Sequence, residues 1–212
     1  MPYFYINGKV NLLFIHIPKT GGTSVELYLS RLYNIELNRE SLCTRVAGAI
    51  EYYKGVSLQH QTYATLIKEA SRFKLSLSDM KILTVVRNPY ERLVSDLFFY
   101  HLIKKDSTAE VVEGVIKKYI YGGLKDTKDN HVIPQNLFLL DDTNTISKNI
   151  VILKQEKLGK MMHKIGYKDF NEYKNVSNKE NLNYFNFLSP GSIRLINKFY
   201  EKDFALFDYK ML

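Results

Sequence analysis

Lys19 opens a short run of residues, Lys19-Thr20-Gly21-Gly22-Thr23-Ser24, that together make the parts of an anion receptor. Gly21 and Gly22 carry no Cβ, so the backbone can come close to a bound group. If a helix starts here, the N–H groups of its first turn point at that group, and the helix dipole favours negative charge there. Lys19 adds a mobile cation, and Thr23 and Ser24 add hydroxyls. The lysine precedes the glycines, so this is not the G-x-x-x-x-G-K-[ST] loop of nucleoside-triphosphate enzymes. An ordinary strand–turn–helix connection with an incidental Gly-Gly pair is the plainer alternative.

A second constellation is Arg87-Asn88-Pro89-Tyr90-Glu91-Arg92, with Ser95 three positions further on. A guanidinium fork and a nearby hydroxyl suit a phosphate monoester. The competing expectation is a structural arginine paired with a carboxylate. Between the two constellations lies Leu58-Gln59-His60-Gln61-Thr62-Tyr63-Ala64. An imidazole titrates near neutrality and can accept the proton of an attacking hydroxyl. His60 is therefore the candidate base, against a packing or capping role before the next helix. His16, beside the receptor loop, is a second candidate. His101 is expected to pack on the apolar stripe of a helix, and His163 to be solvated. His131-Val132-Ile133-Pro134-Gln135 ends in a Pro-Gln pair before an apolar run, and His131 and Gln135 are candidate ligand contacts, against a simple loop role.

These residues need elements to hold them. The apolar run through Leu12, Leu13, Phe14 and Ile15 predicts a strand over 11–16, and Val25, Tyr28, Leu29, Leu32 and Tyr33 recur at helical spacing over 23–33. Lys81 to Val86 reads as a second strand. Asn88 is a good N-cap and Pro89 suits a first helical position, so a helix is expected over 90–103. Further helices are expected over 62–73, 109–121, 155–164 and 190–200, a strand over 149–153, and a strand or helix over 134–140. Strands alternating with helices argue a parallel α/β sheet with helices on both faces and a ligand at the carboxyl ends of the strands, where both constellations fall. The polar stretch 166–189 is long for a compact domain and is a candidate lid, with Asn178 and Lys179 as candidate contacts.

The run HIPKTGGTS resembles the 5′-phosphosulfate loop of sulfotransferases that use 3′-phosphoadenosine 5′-phosphosulfate (PAPS), most nearly the carbohydrate branch containing the uronyl and heparan 2-O-sulfotransferases. VVRNPYERLVSDLFFY resembles that family's 3′-phosphate motif, which pairs an arginine with a serine eight residues later. The H-x-T-Y-like setting of His60, the H-x-x-P-Q segment, Glu156-Lys157-Leu158 after a strand, and the closing Tyr200-Glu201-Lys202-Asp203-Phe204-Ala205-Leu206-Phe207-Asp208-Tyr209 are similar to further segments of the same branch. The resemblance implies the sulfotransferase fold, a P-loop-like parallel sheet flanked by helices on both faces, as one catalytic domain over 1–212. It implies sulfuryl transfer from PAPS to a hydroxyl of a carbohydrate acceptor, with PAP as the product and no metal. Lys19, Thr20, Gly21, Gly22, Thr23 and Ser24 would hold the 5′ end, Arg87 and Ser95 the 3′-phosphate. His60 would be the base with Lys19 beside it in catalysis, and His131 and Gln135 would contact the acceptor. The intervals before His60 and between Lys104 and Asn130 are short against the large glycan enzymes.

Bulk properties fit one catalytic domain of 212 residues, with 45% hydrophobic content and a formal net charge of +8. The sequence pI of about 9.3 suits an anionic nucleotide and an anionic acceptor. The lysines are scattered and no nucleic-acid-binding motif is evident. Cys43 is the one cysteine, so neither an intrachain disulfide nor a Cys/His metal site can be built on it. No signal peptide is evident, and no run approaches the roughly 18 apolar residues of a membrane span. The expected location is cytoplasmic, or the Golgi lumen if an anchor has been removed. Two other classes compete: a P-loop-like nucleotide or small-molecule kinase, and a non-catalytic binder of sulfated ligands. A kinase wants its lysine after the glycines and a Mg²⁺-binding carboxylate at a strand end, where this chain has Arg87; turnover with PAPS would separate an enzyme from a binder.

Overall fold

A computed structural model describes residues 3–6, 9–34, 52–53, 56–69, 77, 80–122, 129–171 and 182–212. Cys43, the expected contacts at Asn178 and Lys179, the middle of the expected lid and the end of the helix expected over 62–73 lie outside these residues. The chain divides into two compact units, Met1–Val86 with Leu137–Ser177, and Arg87–Asn136 with Asn178–Leu212.

The first unit is built on a sheet of β1 (Tyr3–Ile6), β2 (Lys9–Ile15), β5 (Lys81–Val86) and β6 (Ile150–Lys154), in the spatial order β1-β2-β5-β6. β2, β5 and β6 run parallel, with Leu12 opposite Lys81 and Ile82 opposite Ile150. The edge strand β1, which the apolar pattern did not announce, is antiparallel to β2. β3 (Tyr52–Tyr53) and β4 (Val56–Ser57) form a separate small antiparallel pair. The central strands read as continuous apolar runs because both of their faces are buried. Leu12, Phe14, Leu83, Val85 and Leu153 form one cluster with Val25, Tyr28 and Leu29 of α1 (Gly22–Leu32) and Leu158 and Met162 of α5 (Leu158–Lys164). Leu13, Ile15, Ile82 and Val86 alternate with them and are equally buried. Thr84 is the polar exception among them, and its hydroxyl is satisfied by donating to the Ile15 carbonyl at 2.9 Å. The short α2 (Tyr63–Lys68) starts at Thr62, whose side chain accepts from the Thr65 N–H. The expected parallel α/β core is thus present as three parallel strands flanked by helices.

The second unit is helical: α3 (Pro89–Phe99), α4 (Ala109–Tyr121), α6 (Pro190–Phe199) and α7 (Glu201–Leu206). Tyr90, Leu93, Val94, Leu97, Ile116, Tyr119, Ile196, Tyr200 and Phe204 share its core. Thr108 and Ser189 cap α4 and α6 through side-chain oxygens.

Four expectations need adjustment. The helix expected over 90–103 ends at Phe99, because the Leu102 N–H bonds the Leu97 carbonyl and the His101 N–H bonds the Phe98 carbonyl. That double closure places His101 in the left-handed region at φ 54°. His101 is exposed there and does not continue the apolar stripe. The stretch over 134–140 holds a 3-10 turn, Gln135–Phe138, and no strand. The helix expected over 155–164 begins as a 3-10 turn, Gln155–Lys157, and becomes α5 only at Leu158. The helix expected over 190–200 stops at Phe199 and is followed by a second, α7. Among the described residues, no helix is long and apolar enough to cross a membrane.

Candidate functional site

In the first unit the chain leaves β2 at Ile15, turns through Pro18 and Lys19, and enters α1 at Gly22. Lys19 adopts φ 65° and Gly21 φ 85°. The left-handed region suits Gly21, but for a lysine it is a strained conformation of the kind found at functional loops. The buried Thr20 hydroxyl donates to the Ile17 carbonyl at 2.8 Å and closes the turn. Gly21 is the N-cap of α1 and has no side chain to cap it, and the first turn holds no acidic residue. That helix end is electropositive, with Lys19 two positions before it. Thr23 is half-buried and Ser24 buried, and the Ser24 N–H bonds the Gly21 carbonyl at 3.1 Å.

Beneath this turn lies a buried polar cluster. A Cβ on Gly22 would stand 2.8 Å from the His16 ring, so only glycine lets α1 start against that imidazole. His16 Nδ1 is 2.7 Å from Glu26 Oε1, with both side chains buried. Gln59 donates its amide to both oxygens of the same carboxylate, at 3.2 and 3.1 Å. Burial pushes the Glu26 carboxyl up, but the His16 charge and the hydrogen bonds from His16 and Gln59 outweigh it and hold the group below the ordinary carboxylate value. His60, next to Gln59 in the 3-10 turn Leu58–His60, meets the His16 ring edge-on at 5.3 Å. The two histidines expected as candidate bases are therefore neighbours, and His16 lies under the Lys19–Gly22 turn.

In the second unit, Asn88 caps α3 by accepting from the Tyr90 N–H at 3.0 Å, with Pro89 in the first turn, as its sequence indicates. Arg87 immediately precedes this helix. Its guanidinium reaches Glu91 at 3.0 Å and lies 5.2 Å over the Tyr184 ring. Its backbone is clamped on both sides. The Arg87 N–H donates to Gln135 Oε1, and Gln135 Nε2 donates to the Arg87 carbonyl, each at 2.9 Å. Gln135 is fully buried, and its own N–H and that of Asn136 each donate to the Asp203 carboxylate at 2.7 Å. Ser95 is buried on α3. The next residue, Asp96, lies 2.7 Å through Oδ1 from His131 Nδ1 and accepts from the Tyr119 hydroxyl through Oδ2. The His131 ring stacks on Phe99 at 5.5 Å, and Arg92 donates to the His131 carbonyl at 2.6 Å. His163 is exposed on α5, with its Nε2 3.0 Å from the Phe170 carbonyl.

A family model described as the sulfotransferase family matches residues 2–137 and 122–210, almost the whole chain. The chain belongs to the sulfotransferase family. No curated protein and no solved structure matches it. Membership carries transfer of a sulfuryl group as the general chemistry of this sulfotransferase, and the kinase alternative falls away.

Sequence reading did not find Glu26, Gln59, Asp96 or Asp203. Glu26 carried a weak signal: an acid at the fifth position of a helix whose neighbours on the same stripe, Val25 and Leu29, are core residues. The others signal their roles only through partners far along the chain.

Proposed function

We propose that this sulfotransferase moves a sulfuryl group from PAPS to a hydroxyl of a carbohydrate acceptor, with His60 as the base. The observation that carries the reading is the start of α1, an uncapped helix end with no acid in its first turn, directly behind Lys19. That donor set fits a nucleotide 5′-phosphosulfate: backbone N–H groups, hydroxyls and one ammonium, with no acid in the first helical turn to repel it. PAPS, when bound, supplies the sulfuryl group that the acceptor oxygen receives, and PAP is left. Lys19 and the N–H groups of Gly21, Gly22 and Thr23, with the Thr20, Thr23 and Ser24 segment around them, hold the 5′ end and stabilise negative charge developing there. Arg87 and Ser95 hold the 3′-phosphate, which favours PAPS over ATP. His60 takes the acceptor hydroxyl's proton as the oxygen attacks. We read the His131–Gln135 segment as the chain's contribution on the acceptor side, with Gln135 also gripping the backbone of Arg87. These cations meet the nucleotide's charge without a metal in this reading. We read the whole as one catalytic domain, since the family model runs through both units.

Calorimetric titration with PAP, AMP and ATP tests this on the wild type and on Arg87→Ala. PAP is expected to bind most tightly, and Arg87→Ala to lower its affinity by at least about tenfold, the scale of one charge-assisted hydrogen bond of about 1.5–3 kcal/mol. Equal affinity for AMP and PAP, or indifference to Arg87, would sink the nucleotide assignment. PAP binding without sulfuryl transfer to any glycan offered would favour a non-catalytic binder.

A further inference from the structure

We infer that Glu26 and Gln59 are positioning residues that hold His60 in place, an inference that rests on the reading of His60 as the base. His60 sits at the end of a three-residue 3-10 turn whose N-cap, Ser57, makes no side-chain cap. So short a turn has little stability of its own and takes its geometry from what it is tied to. One such tie is the side chain of Gln59, the residue beside His60. The Gln59 amide is caught by both oxygens of Glu26, and Glu26 is part of α1, whose first turn carries the glycines of the receptor loop.

The arrangement of donors around that carboxylate is specific. Glu26 accepts from His16 Nδ1 at 2.7 Å, so that nitrogen carries a proton. The approach of Gln59 Nε2 to the same nitrogen, 3.0 Å, is then two donors meeting at one carboxylate and not a third hydrogen bond. With Nδ1 turned to Glu26, the His16 ring is fixed in orientation, and its other edge lies against Gly22 while His60 meets it nearly perpendicular, at 81°. His60 is thereby bracketed twice, through its neighbouring residue by Gln59 and through its ring by His16, and both brackets end on Glu26. A carboxylate that is 1% exposed costs folding free energy unless it is paired, and an apolar side chain would fill the same space more cheaply. Its chemistry accounts for its presence: it registers the base-bearing turn against the helix that follows the Lys19–Gly21 turn.

The test reads the imidazole ring resonances of His60 by NMR in the full chain, assigned with His60→Ala, together with PAP titration. Glu26→Gln and Gln59→Glu are each isosteric and each put like groups face to face. Both are expected to displace or broaden the His60 signal. The exchanged pair Glu26→Gln with Gln59→Glu again sets an amide against a carboxylate, with His16 Nδ1 in reach of the new acid, and is expected to return the signal toward its wild-type position. Gln59→Ala leaves the buried His16–Glu26 pair intact and serves if the charged variants fold poorly. It should disturb the His60 signal and keep PAP affinity within about twofold, while lowering the turnover number about tenfold or more, as a misplaced catalytic group does. A His60 signal unmoved in all three single variants, or moved in the isosteric variants and not restored by the exchange, overturns the inference. Wild-type transfer by His60→Ala would remove the base assignment instead, and leave the tether to be judged by the resonances alone.

Discussion

Lys19 combines a charge with a backbone conformation that its side chain disfavours. The left-handed region costs an L-residue about 1–2 kcal/mol, and glycine there gives back about 0.5–1 kcal/mol through its freer unfolded chain. Lys19→Gly is therefore expected to leave thermal stability unchanged or slightly higher, and Lys19→Ala to bring no such gain, while both lose most PAPS turnover. A thermal scan beside a turnover assay separates the two effects. Glu26 gives a second prediction at this scale. Its carboxyl lies below its ordinary value of 4.5 in the fold, chiefly through His16 and against the effect of burial. An acid with a depressed folded value contributes stability that is complete above the unfolded value and is lost as the pH falls through the folded one. Urea unfolding at about pH 6 and about pH 3 is expected to show a stability loss that is smaller in Glu26→Gln. The strand, turn and helix around Lys19 were legible because their parts are contiguous. The Glu26–Gln59 pair was not, since its members are 33 positions apart and nothing in either neighbourhood names the other.

At the scale of elements, three helices declare their starts. Asn88-Pro89, Thr108 and Ser189-Pro190 each cap the helix that their types announce. Ends were harder to read. α3 stops with His101 in a left-handed position that glycine usually fills, so the expected helix overran by a turn. The same unit hides its most demanding contact. Asp203 on α7 accepts the N–H groups of Gln135 and Asn136 from 68 and 67 positions away, and Gln135 in turn grips Arg87. Asp203→Asn turns an amide N–H₂ toward one of those backbone donors. The expected cost is about 1–3 kcal/mol of stability, the scale of a buried donor left unsatisfied. PAP affinity should fall in parallel, because the start of α3 loses its anchor. Urea unfolding and PAP calorimetry on the same variant check both halves, and a stability loss with unchanged PAP affinity would break the link between Asp203 and Arg87.

For the molecule as a whole, the net charge of +8 makes association with a polyanionic nucleotide dependent on salt. The Debye length shrinks from about 10 Å at 0.1 M to about 3 Å at 1 M ionic strength. The PAP on-rate in stopped flow is expected to fall steeply over that range while the dissociation rate changes little; the reverse pattern would place the charge dependence in the bound contacts. The sheet has a further consequence, for the order in which the chain can become structured. β2, β5 and β6 come from residues 9–15, 81–86 and 150–154, so each parallel pair joins segments far apart in the chain, whereas β1 and β2 lie close together. Each parallel pairing must close a loop of several dozen residues before any ladder bond rewards it, which makes folding slow. During synthesis β5 is the exposed flank of the growing sheet until β6 leaves the ribosome, and apart from Lys81 and Thr84 it is wholly aliphatic. A nascent chain arrested before Ile150 would present that bare flank to other chains, the kind of unpaired edge on which aggregation starts.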